Sequence, residues 1–298
     1  MDLRGKTILI TGAARGIGAE SARQLSARGA RIALVGLEPE ELERVARQCG
    51  PDAAAFEADV TDTDALAGVV ESVVERFGGI DVVMANAGVA ATGFVRSMDP
   101  EAFERTIEVN LLGVFRTVRA CLPHVIERRG YVLVIASLAA AAHSPGMAAY
   151  AASKAGAEAF GNSLRAELAH LGVNVGVGYF AFLDTDLVRG ADTHPVFGKL
   201  RSEMPGPFGK TYPLSEAVGK VVEGIERRGR TVVFPGWVRP MLLLRGVLAP
   251  LLERGSGAQT AEVDAAFARD VAERGAEAAS AQVGAGGLAD RRRETTRT

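Results

Sequence analysis

Thr7-Ile8-Leu9-Ile10 runs directly into Thr11-Gly12-Ala13-Ala14-Arg15-Gly16-Ile17-Gly18, and from there into an amphipathic stretch that reaches Arg28. An apolar run, a glycine-rich turn and a helix make the opening of a strand–helix–strand unit. Gly12 permits the tight turn, Gly16 lets backbone come close to a phosphate, and Gly18 lets the helix pack closely on the strand. The spacing is Gly-x3-Gly-x-Gly with no Gly-Lys-Ser/Thr after it, which excludes a P-loop. A plain structural turn accounts for such glycines equally well, so their meaning depends on the rest of the chain.

Working outward, the same alternation recurs up to about residue 235. Further apolar runs lie at Arg31–Val35, Ala53–Phe56, Ile80–Met84, Tyr131–Ala136, Val173–Tyr179 and Thr231–Phe234, making seven expected strands with the first. Helices are expected at 16–28, 40–48, 63–77, 101–128, 148–171 and 215–228. Runs apolar on both faces suit strands covered by helices on both sides, so the expected class is α/β, a doubly wound parallel sheet. Ligands of such sheets bind at the carboxyl edge, which gives the residues just after each strand their weight. The Gly- and Pro-rich insertion at 187–213 reads as a mobile substrate lid.

Composition removes several classes. The 298 residues are 48% hydrophobic and 23% charged, which is globular composition. Lys plus Arg number 34 against 36 Asp plus Glu, so no basic field exists to hold nucleic acid. Two cysteines, Cys49 and Cys121, are too few for a disulfide framework or a cysteine zinc site, and the start lacks a signal peptide's apolar core. A cytoplasmic location is the resulting expectation, with no transmembrane span. The histidines, His124, His143, His170 and His194, have no ligand spacing, so no metal is expected; each is read as a surface residue, with His143 and His194 as alternates for the substrate pocket.

After residue 235 the pattern changes. Residues 240–254 present a broad apolar surface interrupted by Pro250, whose expected cover is the parent domain or a sister subunit, with a membrane surface as the alternative. The chain is thus divided into a domain at 1–235, a helical extension at 236–283 and a tail at 284–298 expected to be disordered, including the charge run Arg291-Arg292-Arg293.

Four further signals sit at the sheet's carboxyl edge. Asp59-Val60 after the third strand can present a carboxylate to an amino group, or cap the next helix. Asn86-Ala87-Gly88 follows the fourth strand, where small residues let backbone approach a ligand. Ser137 ends the fifth strand. Tyr150 and Lys154, four apart at a helix start, share one face, and a cation beside a phenol of ordinary pKa about 10 favours proton transfer near neutrality.

Taken together, Thr11 to Gly18, Asp59-Val60, Asn86-Ala87-Gly88, Asn110, Ser137 and Tyr150-Ala-Ala-Ser-Lys154 resemble the short-chain dehydrogenase/reductase family over about residues 4–235. The resemblance implies a Rossmann-type domain and hydride transfer between a nicotinamide and the carbon of an apolar alcohol or carbonyl. It implies Tyr150 as general acid/base, Ser137 on the substrate oxygen, Lys154 on the nicotinamide ribose, and Asn110 anchoring a relay water. Cofactor contacts are expected from Gly12, Arg15, Gly16, Ile17, Gly18, Glu38, Asp59, Val60, Asn86, Ala87, Gly88, Tyr150, Lys154, Leu183 and Thr185. One departure stands out: Tyr179-Phe180-Ala181-Phe182-Leu183 replaces the family's usual Pro-Gly pair after the sixth strand, which predicts a bulkier wall beside the nicotinamide. Glu38 after the second strand, with no cation near it in sequence there, favours NAD over NADP, while Arg15 favours the 2′-phosphate. Steroid, retinoid, fatty and aromatic alcohols all remain open as substrates. A homodimer or homotetramer is expected, and a dinucleotide-binding sensor or scaffold without turnover is the alternative function.

Overall fold

In the computed structural model seven parallel strands form one sheet in the order β3-β2-β1-β4-β5-β6-β7. They are β1 (Thr7–Thr11), β2 (Arg31–Gly36), β3 (Ala53–Glu57), β4 (Val82–Ala85), β5 (Tyr131–Ile135), β6 (Asn174–Phe180) and β7 (Thr231–Phe234). The structure describes the backbone of residues 1–253 and 257–297, and the side chains of 1–247 and 260–291. Each expected strand is present, and the order is that of a Rossmann-type sheet, which reverses direction between β1 and β4.

Period-two alternation splits the core into two layers. On one face Ile8, Ile10, Ile32, Leu34, Met84 and Leu133 pack with α1 (Gly16–Ser26), α2 (Pro39–Cys49) and α9 (Leu214–Arg227). On the other, Leu9, Val35, Val83, Val132, Val134 and Val175 pack with α3 (Thr63–Phe77), α5 (Gly113–Glu127) and α6 (Ala148–Leu168). Both faces are dry, which explains why the strands read as continuous apolar runs.

The helix expected at 101–128 is interrupted. It consists of α4 (Pro100–Ile107), one π turn at Glu108–Leu112 and then α5. The π turn carries Asn110 inward, where its side chain accepts from the Val89 N–H at 2.8 Å and donates to the Val89 carbonyl at 2.9 Å. A buried amide fastened to a neighbouring loop thus accompanies the break in helical period.

The insertion read as an irregular lid contains two short helices, α7 (Asp186–Asp192) and α8 (Pro195–Ser202). Beyond β7 come α10 (Val238–Glu253), α11 (Gly257–Arg274), α12 (Ala276–Ser280) and α13 (Gly284–Arg297). Arg245 of α10 pairs with Glu158 of α6 at 2.8 Å and Leu242 packs on the cluster around Val238, while Leu243, Leu244 and Val247 are exposed; the side chains of residues 248–254 lie outside the described residues. Among the described residues no helix is long and apolar enough to cross a membrane.

The tail corrects its expectation. Residues 284–297 are helical, although they offer little apolar bulk. Close backbone packing takes the place of side-chain burial: a Cβ built on Gly190 of α7 would stand 2.3 Å from the Gly284 nitrogen. Charge supplies the second anchor, because Asp290 is buried and paired with Arg105 of α4.

The backbone passes closely at Gly18, where a Cβ would meet the Gly12 carbonyl oxygen at 2.3 Å and the Asn86 side chain at 2.8 Å. Backbone cannot yield there as a flexible side chain would. Gly18→Ala is therefore expected to destabilise the protein by about 1–3 kcal/mol, read as a lowered urea midpoint; a midpoint equal to the parent's would contradict this packing.

Candidate functional site: a cleft at the carboxyl edge

The reversal between β1 and β4 opens a cleft at the carboxyl edge of the sheet, with a free volume of about 230 Å³. Its floor is the loop from Gly12 to Ile17 and the start of α1. Gly12 and Gly16 have φ of +65° and +54°, left-handed values that only glycine adopts without strain. No side chain caps α1, so its first N–H groups are left for a ligand at the cleft.

Asn86 holds that loop in place. Its side-chain amide donates to the carbonyls of Thr11 at 2.9 Å and Gly12 at 3.2 Å, and its backbone N–H donates to the Thr11 hydroxyl at 3.1 Å. Ala87 and Gly88 continue along the cleft wall. Gly18 does not line the cleft; it lies beneath it, against Gly12.

At one end of the cleft the charges are paired. Arg15 donates from Nε to Glu38 at 2.9 Å and from Nη1 to Asp186 at 3.0 Å. The two carboxylates hold the guanidinium protonated well above its ordinary range. Asp59 and Val60 also line this end. The helix that Asp59 was weighed to cap is capped instead by Asp62, which accepts from the Ala65 N–H at 3.0 Å. Asp59 accepts from the Thr61 N–H at 2.9 Å and hydroxyl at 2.8 Å, and from Arg105 at 3.3 Å.

At the other end stand Ser137, Tyr150 and Lys154. Ser137 ends the β5 connection and accepts from the Ala139 N–H at 3.1 Å, which leaves its own hydroxyl proton to donate elsewhere. Burial raises the Tyr150 phenol above its usual range, and a hydrogen bond from Ser137 draws it back down. Lys154 is buried and donates to the Ile135 carbonyl at 2.9 Å; burial lowers its pKa to about 8. Its ammonium lies 5.8 Å from the Tyr150 ring centroid. Asn110 is not in the cleft wall but directly behind it, since a Cβ on Gly88 would meet Asn110 Oδ1 at 3.2 Å and Lys154 Nζ at 3.4 Å.

Phe180, Ala181, Leu183, Thr185, Leu187 and Val188 line one side of the cleft, a largely apolar wall that reaches the glycine loop where Thr185 lies against Gly16. Three contributors escaped the sequence reading: Asp186, Arg105 and residues 283–290 of the tail. Asp186 adjoins Thr185 and was within reach of the motif; nothing local in the sequence ties the tail to the cleft. The histidines also divide. His143 is exposed, whereas His194 is buried, accepting at Nδ1 from the Val196 and Phe197 N–H groups at the start of α8 and bonded through Nε2 to the Ala279 carbonyl at 3.0 Å. Among the described residues no cluster could hold a metal.

Comparison with known proteins agrees with this geometry. The family model for short chain dehydrogenases matches residues 6–195. The 3-oxoacyl-[acyl-carrier-protein] reductase FabG of Escherichia coli is 32% identical over 219 residues, 73% of this chain and 90% of that protein. The 2,3-dihydro-2,3-dihydroxybenzoate dehydrogenase of Bacillus subtilis is 38% identical over 189 residues, 62% of this chain and 72% of that protein. A crystal structure of 3-ketoacyl-(acyl-carrier-protein) reductase from Brucella melitensis complexed with NADH superposes with a TM-score of 0.71 at 26% identity, covering 78% of this chain and 97% of that one. On the matched family model, the sheet order and these relatives, the chain belongs to the short chain dehydrogenase family of oxidoreductases.

Proposed function

We propose that the protein is an NAD-dependent alcohol dehydrogenase or carbonyl reductase acting on a small apolar substrate, with Tyr150 as the general acid/base. One observation carries the reading: a phenol, a hydroxyl and a buried ammonium converge at one end of a cleft whose other end is a glycine loop flanked by Glu38 and Asp59. The residues fit a dinucleotide laid across the reversal of the sheet, with its pyrophosphate on the start of α1 and its adenosine ribose near Glu38. A nicotinamide in this cleft supplies or accepts the hydride.

The chain's own residues manage the proton. A phenol raised by burial stays protonated at neutral pH, which is the form needed to protonate a carbonyl oxygen during reduction. Ser137, whose hydroxyl bonds to the Tyr150 phenol, stands beside it to orient that oxygen. Lys154 stays largely charged below about pH 8 and favours the phenolate that forms when Tyr150 gives up its proton. Asn110 Oδ1 and Lys154 Nζ both lie close to Gly88, which supports Asn110 as the anchor of a relay water. Phe180, Ala181, Leu183, Leu187 and Val188 give the cleft apolar lining, and Asp186, the acid of the same wall, is engaged by Arg15, which favours an uncharged substrate.

Two outcomes test the reading. With a substrate found by screening alcohols and ketones against both cofactors, Tyr150→Phe is expected to lower kcat by about 10²- to 10⁴-fold or more while dinucleotide affinity stays within about twofold. Retention of more than about a tenth of the parent kcat would remove Tyr150 from its role. For the cofactor, Glu38 and Asp186 engage Arg15 and place two carboxylates where a 2′-phosphate would approach, a repulsion of order 1–4 kcal/mol per charge at about 4 Å. Parent kcat/KM is therefore expected to be larger with NAD(H) than with NADP(H), and Glu38→Ala, which frees Arg15 in part, is expected to shift the ratio about tenfold toward NADP(H). A parent preference for NADP(H) would contradict the pairing argument.

A further inference from the structure

The tail expected to be disordered crosses the mouth of the cleft. Ser280, at the end of α12, accepts from the Asp99 N–H at 3.1 Å. The Val283 N–H then donates to the Ala90 carbonyl at 2.9 Å, on the loop that follows β4. Gly284, with φ of +78°, passes so close to α7 that a Cβ there would meet the Asp186 carbonyl oxygen at 2.7 Å. The chain has thus left one bank of the cleft and reached the other within two residues. Gly286 comes over Arg15, with 3.9 Å between a built Cβ and the Arg15 Cδ. Asp290 then returns to the first bank, donated to by Arg105 Nε at 2.9 Å and paired with Nη2.

That last contact is the strongest. Asp290 is 2% exposed, and Arg105 joins it to Asp59, Nη2 meeting both carboxylates. A buried carboxylate is costly without a cation, so the segment is held where Arg105 is. Between the two anchors the residues facing the cleft are Val283, Gly286, Gly287 and Ala289. They are small and uncharged, and Asp290, the acid of the tail that lines the cleft, is engaged by Arg105. A plug that mimicked a phosphate would carry an acid there; a cover leaves room beneath it.

We propose that residues 282–290 form a strap that closes over a dinucleotide lying in the cleft, latched by the Asp290–Arg105 pair, so that the cofactor leaves only when the latch opens. The proposal rests on the dinucleotide reading given above and adds a wall to that site. It assigns Asp290 and Arg105 a positioning role: they hold the cover, and the cover holds the ligand.

Stopped-flow fluorescence with NADH as the probe tests it on the full chain, on Asp290→Asn and on a chain ending at Ala281. Removing the latch is expected to raise the NADH dissociation rate about tenfold or more in both variants, since changes of this kind fall mainly on dissociation. In the full chain, NADH is expected to slow hydrogen exchange at the Val283 amide, which bridges the cleft. If the shortened chain does not fold, Asp290→Asn decides alone. Dissociation within about twofold of the full chain, or exchange at Val283 that NADH leaves unchanged or accelerates, overturns the strap. A full chain that binds no NADH overturns the dinucleotide reading itself, and the strap with it.

Discussion

The close passage of backbone at the reversal of the sheet is the constraint on which the rest depends. Gly12, Gly18 and Asn86 meet where β1 and β4 lie side by side, and no Cβ fits between the glycine turn and its neighbours. Asn86 spends its side-chain donors on the Thr11 and Gly12 carbonyls, which fixes the turn and points the start of α1 into the cleft. Everything chemical is then arranged around that opening: the Arg15 cluster at one end, the Tyr150 group at the other. A single bulky residue at the crossing would displace both.

Burial does the electrostatic work at the Tyr150 end. Two groups of opposite charge type are desolvated together, and burial moves them apart, the phenol up and the ammonium down to about 8. Both groups are thereby biased toward their neutral forms, and on the proposed reading a phenol that keeps its proton at neutral pH is the form able to give it to a substrate oxygen. At the Arg15 end the logic is reversed, because there the charges are kept and paired: one guanidinium faces two carboxylates. On the proposed reading the difference matches the tasks: a proton donor must stay neutral until it reacts, whereas ribose recognition needs fixed charge.

The sheet was legible in sequence because both of its faces are covered, so every strand is an apolar run between turn residues. The residues around the cleft were legible because each stands just after a strand or at a helix start, where spacing is short-range. Asn110 could be placed, but its π turn could not, since the break depends on bonds to Val89, 21 residues away. The tail was misread for a similar reason. Its stability comes from a backbone contact at Gly190–Gly284 and an ion pair between residues 185 positions apart, neither of which leaves a periodic signal. His194 was read as a surface residue and is buried, because what covers it is α11 and α12, which were not expected to reach the lid.

Trp237, the protein's one tryptophan, donates to the Tyr212 hydroxyl at 2.9 Å, and Tyr212 bridges to Leu183 in the cleft wall. It is therefore a built-in reporter at the Tyr150 end of the cleft. Titration with NADH up to about 1 mM, the upper range of ordinary cofactor and substrate constants, is expected to quench tryptophan emission saturably while NADH emission rises. Added NAD should reverse both changes. Quenching that never saturates, with no transfer to NADH and no effect of NAD, would contradict the assignment of this cleft as a dinucleotide site.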